Sequence, residues 1–205
     1  EPGAARALLD SLAARPASAG GGRVDHLTSR GIFGPRRVLL EAWLAAAAGI
    51  APDSASLVAR LGVQGGRFSQ HYMTDLQVAL AGAGGRRASQ LALLGHGGPE
   101  PDRVFPDALS YVEARRRWLR AVLLIDAGRP EEALAWLGTF PDPGAYDLPY
   151  LAPAHLLAGE TLERMGRTEE ARQRYGRALA LWRDADPALQ PLLDRARRAL
   201  GRAER

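Results

Sequence analysis

Apolar positions in the second half of the chain recur three and four residues apart, the period of one face of an α-helix. Leu109, Val112, Trp118, Leu119, Val122, Leu123 and Ile125 carry that period from Asp107, a capping residue behind Pro106, to Asp126. Gly128 supplies a left-handed stop, and Pro130 with Glu131 and Glu132 opens a second helix that runs to about Thr139. Pro141–Asp147 reads as a turn-rich loop. A third helix is predicted from Pro149 to Met165 with Gly166 as its stop, and Thr168 is expected to cap a fourth, Glu169 to about Arg183. Asp186-Pro187 opens a last helix, to about Leu200, with Arg and Asp on its outer side. Every element predicted is helical, so the fold class is all-α.

The helices come in pairs, and the junction of one pair repeats. Gly-Arg-Pro-Glu-Glu-Ala-Leu at 128–134 returns 38 residues later as Gly-Arg-Thr-Glu-Glu-Ala-Arg at 166–172. Each copy ends a long periodic segment and opens a shorter one, which is a helical hairpin repeated in tandem. Hairpins are therefore assigned to 107–140 and 149–183. Two weaker ones lie upstream, at 35–62 around Gly49 and at 67–94 around Gly84-Gly85. The glycine-rich stretch within 16–34 interrupts the series as a linker or insertion. Pro2-Gly-Ala-Ala-Arg-Ala-Leu-Leu lines up with Pro130-Glu-Glu-Ala-Leu-Ala-Trp-Leu, so 1–15 reads as a half hairpin. With no initiator methionine, this register leads us to expect a longer protein with a domain attached upstream.

Gly159, Leu162, Gly166, Ala171, Tyr175 and Ala178 fall where small and large residues alternate in the tetratricopeptide repeat, and Tyr150–Trp182 resembles that family. Ser110–Phe140 matches again through Leu124, Gly128, Ala133 and Leu137, with Ala121 where glycine is common. Two departures stand out: His155 replaces an aromatic early in the first helix, and the period is 38 where the family repeats every ~34 residues. The resemblance implies one domain over 1–205, a right-handed solenoid of antiparallel hairpins closed by a capping helix at 187–201. The tail from Tyr175 through Asp186-Pro187 to Leu200 also looks like the closing segment of repeat arrays behind serine/threonine-kinase or transcriptional-activator domains in bacterial regulators. No kinase glycine loop or catalytic Asp loop is present to carry catalysis over. The implied role is a non-catalytic, cytoplasmic protein–protein interaction, scaffolding or sensing module. The alternative it allows is a ligand- or nucleic-acid-responsive domain controlling the attached kinase or activator.

Composition narrows this further. Of 205 residues, 46% are hydrophobic and 24% charged, as in folded soluble proteins, and cysteine is absent, which excludes disulfides and thiolate metal sites. The longest apolar run, Val38–Ile50, contains Glu41 and falls short of the ~20 residues a membrane helix needs. A pI near 10.1 reflects arginine without lysine at a net charge of only +4. The arginines are spread over both halves, which argues against nucleic acid as the partner. The densest group, Arg115-Arg116-Arg117 with Arg120, reads as a solvated helix surface, because successive helical residues point in different directions.

Candidate chemistry is sparse. His26, His71, His96 and His155 show no metal-ligand spacing, and Asp25-His26 near Ser29 lacks a nucleophile elbow. The glycines at 20–22, 62–66 and 82–85 read as turns and helix stops, since no strand precedes them. No catalytic, metal or cofactor site is predicted. The concave side of a repeat array is lined mainly by first helices, and on this pattern it would present His71, Thr74 and Asp75, then Arg115 and Trp118, then Glu160, Glu163 and Arg164. A mixed-charge lining of this kind suits a peptide, with Arg115 pairing a carboxylate.

Overall fold

The computed structural model describes residues 2–14, 29–64, 69–95, 110–140 and 147–203. Among them are ten α-helices, one 3₁₀ turn at Pro187–Leu189 and no strand, so the protein is all-α. The helices are α1 (Pro2–Ala14), α2 (Ser29–Ala48), α3 (Ser54–Gln64), α4 (Ser69–Ala83), α5 (Arg87–Leu93), α6 (Ser110–Asp126), α7 (Pro130–Leu137), α8 (Leu148–Arg164), α9 (Thr168–Leu181) and α10 (Gln190–Ala203). Repeat spacing predicts one continuous array; the contacts group the chain into two compact units, 1–96 and 97–205. Asp107 and the loop 141–146 lie outside the described residues. So does 16–28 of the expected linker, but α2 begins at Ser29, inside the stretch assigned to that linker. Proline 35, read as a helix start, instead lies within α2, where it removes one backbone donor.

Four helix ends share one device. At the ends of α2, α4, α6 and α8 a glycine takes a left-handed φ of 68–76°, at Gly49, Gly85, Gly128 and Gly166. The amide after each glycine donates to the carbonyl five residues back: Ile50 to Ala45, Arg86 to Ala81, Arg129 to Leu124 and Arg167 to Leu162, all at 2.9 Å. The glycine amide itself donates three residues back, completing a Schellman stop in every case. Because the stop consumes the backbone of Arg167, the next helix starts immediately. Arg167, not Thr168, is therefore the residue at the capping position of α9, and it caps with no side-chain bond.

The repeated Gly-Arg-x-Glu-Glu also has a polar function. Arg129 forks Glu132 at 2.5 and 2.6 Å, and Arg167 forks Glu170 at 2.6 and 2.7 Å. Arg167 additionally reaches Glu131, at 3.3 Å, which ties the start of α9 to the start of α7. These pairs are exposed and individually weak, so they set register more than stability.

In the first unit α2 is central and packs against α1, α3 and α4. Val38, Leu39, Ala42 and Ala45 of α2, Leu57 and Leu61 of α3, and Leu76 and Ala79 of α4 are buried in this unit. Asp53 caps α3 by accepting from the Ser56 amide at 3.1 Å, and Arg37 of α2 donates to the Leu12 carbonyl of α1 at 2.9 Å. In the second unit α8 packs against α6, α7, α9 and α10. Ala152, Leu156 and Leu162 of α8, Ala171, Tyr175 and Ala178 of α9, and Leu193, Ala196 and Ala199 of α10 form its core with Trp182. Apolar residues on α10 lie on one stripe, which packs on α9 and α8, while its arginines stay outside.

Arg117 overturns the expectation of a solvated arginine run. It is 7% exposed, donates to the Thr139 carbonyl at 2.6 Å and to Asp147 at 2.5 Å, and stacks its guanidinium 4.6 Å from the Phe140 ring centre. It thus fixes α6 to the segments on both sides of the α7–α8 loop. Asp147 stands at the capping position of α8 yet makes no cap, because Arg117 holds its carboxylate. Arg120 likewise covers Trp136, at 4.6 Å, and burial lowers its pKa.

Candidate functional site

A cleft of about 460 Å³ opens in the second unit between α6, α8 and α10. Helical spacing builds it. Val122 and Ile125, three residues apart, supply one apolar wall from α6, with Asp126 at its rim. Leu157, Glu160, Glu163 and Arg164 follow on one face of α8, so the cleft runs along about two turns of that helix. Arg195 and Arg202, seven residues apart on α10, form the opposite wall.

The two charged walls are interlocked. Arg195 forks both carboxylate oxygens of Glu160, and Arg202 forks both oxygens of Glu163 at 3.1 and 3.2 Å. The Tyr175 hydroxyl donates to Glu163 Oε2 at 2.6 Å from the core side, so Glu163 links the cleft to the packing of α8 on α9. The hydrogen bond from Arg202, and then that from Tyr175, holds the Glu163 carboxyl below its ordinary range. Burial, followed by the same carboxylate, pushes the Tyr175 phenol above its own. Arg164 turns back onto α8, its Nε on the Glu160 carbonyl at 3.2 Å and Nη2 on Thr161 Oγ1 at 3.4 Å.

Of the residues expected to line one groove, Glu160, Glu163 and Arg164 come together in this cleft. Arg115 and Trp118 do not join them. The Trp118 ring lies 6.1 Å from Tyr150, which in turn lies 6.1 Å from Phe140, in an aromatic cluster at the start of α8. Burial raises the Tyr150 phenol pKa, and the charge of Arg115 opposes that rise. Thr74 is half-buried in α4 of the first unit. Asp75 departs from the expectation outright: it is 4% exposed, near Tyr72 on α4, the helix that packs against α2. His71 lies on α4, with its side chain outside the described residues.

Sequence reasoning missed Val122 and Ile125, which it used only as part of the helical period, as well as Leu157 and both α10 arginines. The seven-residue spacing of Arg195 and Arg202, which places both on one face of α10, is the signal that could have found them. His155 is half-buried, its Nδ1 3.3 Å from Arg174 Nη1. His26 and His96 lie outside the described residues, as does most of the Asp25-His26-Ser29 group. Among the described residues no cluster of His, Asp and Glu has the makings of a metal site, and no helix is long and apolar enough to cross a membrane. No family model, no curated protein and no solved structure matches this chain.

Proposed function

We propose that the chain is a non-catalytic protein–protein interaction module, a scaffolding or sensing part of a larger bacterial regulatory protein, and that the α6–α8–α10 cleft receives its partner. The observation that carries this reading is the cleft itself: an open trough with an apolar wall and floor and a charged wall held by two ion pairs. Such a mixture suits a peptide segment, whose apolar side chains fill the trough while polar contacts fix its orientation. The tetratricopeptide resemblance supports the same role, with hairpins α6–α7 and α8–α9 stacked and α10 as the cap of a right-handed solenoid. An attached kinase or transcription-activator domain is what the likeness of the tail implies. Nucleic acid is less well supported, since Arg117 and Arg120 of the densest basic group are committed to Asp147, Phe140 and Trp136.

A photo-reactive amino acid at Val122 tests the reading in the cells the chain comes from. The expected result is an adduct to one identified protein, lost when Leu157→Asp is added and not formed from the exposed position Arg177. Equal labelling from Val122 and Arg177, or labelling indifferent to Leu157→Asp, sinks it.

A further inference from the structure

The hydrogen-bond accounting of the cleft is lopsided, and the imbalance identifies the chemistry of an occupant. Both oxygens of Glu160 accept from Arg195, both oxygens of Glu163 accept from Arg202, and one of the latter also accepts from Tyr175. Every oxygen of the two α8 carboxylates therefore already has a donor. The arginines are less fully used. Each guanidinium presents only its Nε–Nη2 edge to its glutamate, and among the described residues the Nη1 group of neither Arg195 nor Arg202 has an acceptor. Arg164 also uses only Nε and Nη2. Three cations line one cleft, each with an unengaged amino group, and two of them are held in place by their ion pairs.

Resting on the reading of this cleft as a partner site, we propose that its partner is an acidic, partly apolar peptide. Its carboxylates bind the unengaged Nη1 amino groups of Arg195, Arg202 and Arg164, and its aliphatic side chains pack on Val122, Ile125 and Leu157. The glutamates take part indirectly, by holding the arginine planes so that little side-chain freedom is lost on binding. Spacing adds a constraint. Seven residues on α10 separate the two arginines by about 10 Å, so matching carboxylates stand about two helical turns apart, or about three residues apart in an extended segment.

The test is selection from a random twelve-residue peptide library by the full chain, with counter-selection on Leu157→Asp. Selected peptides are then synthesised and their affinity measured by fluorescence anisotropy. The expected peptides carry Asp or Glu interspersed with Leu, Ile or Val. Their binding should fall at least tenfold in Arg195→Lys/Arg202→Lys, which keeps a cation for each glutamate but removes the unengaged Nη1 amino group. A melting temperature close to that of the parent shows that α10 stays docked in that variant. Should the double variant melt early, Arg164→Gln, at an exposed position, serves instead and should weaken binding severalfold. Peptides that are basic or uncharged yet depend on Leu157 would overturn the acidic partner while leaving the cleft as a binding site. If no selected peptide depends on Leu157, both readings fall.

Discussion

The α4–α5 pair of the first unit and the α8–α9 pair of the second are built to the same plan and closed by different chemistry. Both first helices end in the same Schellman stop, at Gly85 and Gly166, and both pairs bring a side chain of the second helix onto a glycine of the first. In α8–α9 that side chain is Tyr175. A Cβ on Gly159 would lie 2.5 Å from its ring, which is fully buried and anchored at its far end to Glu163. In α4–α5 it is Gln90, whose amide nitrogen lies 2.5 Å from where a Cβ on Gly82 would stand and donates to the Val78 carbonyl at 2.9 Å. One closure is a large rigid ring with a polar tether, and the other is a short flexible amide. Glycine thus tells where two helices approach, while its neighbour decides how firmly they are held.

The largest expected contrast comes from deleting the two closing side chains. Tyr175→Ala removes a buried aromatic and should cost about 3–5 kcal/mol. Gln90→Ala removes one buried hydrogen bond and little apolar contact, and should cost about 1 kcal/mol. Native-state hydrogen exchange resolves the two, because amides of α9 report the first and amides of α5 the second. Comparable losses at both sites would show that the aromatic closure is no stronger than the amide.

Filling the two glycines gives the next contrast. Gly159→Ala forces a Cβ into a ring that has nowhere to move, at about 1–3 kcal/mol for overpacking, offset by about 1 kcal/mol of helix propensity. A net loss of up to about 2 kcal/mol in α8–α9 protection is expected. Gly82→Ala meets only the end of a glutamine, which can swing aside. The lost hydrogen bond and the gained propensity nearly cancel, and a change within about 0.5 kcal/mol is expected. If Gly82→Ala is as damaging as Gly159→Ala, the amide closure is as rigid as the aromatic one.

The Schellman glycines supply the control, since they serve the same purpose in both pairs. Gly85→Ala and Gly166→Ala each place a Cβ in a left-handed residue with nothing within 4 Å, so only backbone strain opposes them. Each should cost about 1 kcal/mol, after the entropy that alanine removes from the unfolded chain is counted. Unequal costs, read from thermal melts of the two variants, would mean that the stops are not equivalent.

These pairs also show what sequence periodicity could and could not disclose. The helices and their stops were legible, because a left-handed glycine leaves a residue that nothing else replaces cheaply. Gly159 and Tyr175 were each singled out by the repeat pattern, but that they meet is seen only in the structure. Gln90 was not, since a polar residue in a predicted helix reads as solvent-facing unless its buried acceptor is known. Arg117 hid in the same way: its neighbours Arg115 and Arg116 suggested a solvated surface, and only the return of the chain through Thr139 and Asp147 makes burial favourable. The cleft was half visible. Its α8 face follows from one helix, whereas Arg195 and Arg202 enter through tertiary packing of α10, which a local pattern does not encode.

Titration gives the smallest and most selective contrast. The α8–α9 closure contains an ionisable pair, and the amide of α4–α5 does not titrate. Glu163 has a folded pKa below its unfolded one, chiefly through Arg202 and then Tyr175. Its contribution is therefore complete above the unfolded value of ~4.3 and is lost as pH falls through the folded value. Tyr175 is shifted the other way, so its contribution is complete below the ordinary tyrosine range and is lost as pH rises beyond it. Glu163→Gln should thus weaken α9 protection at pH 7, by about 1 kcal/mol or less for a partly exposed pair, and by a smaller amount at pH 3. Gln90→Ala should cost the same at both pH values when protection in α5 is corrected for intrinsic exchange. A Glu163→Gln effect that does not shrink in acid would mean that the carboxylate acts by shape alone, and the tether of Tyr175 would then contribute nothing electrostatic to the closure.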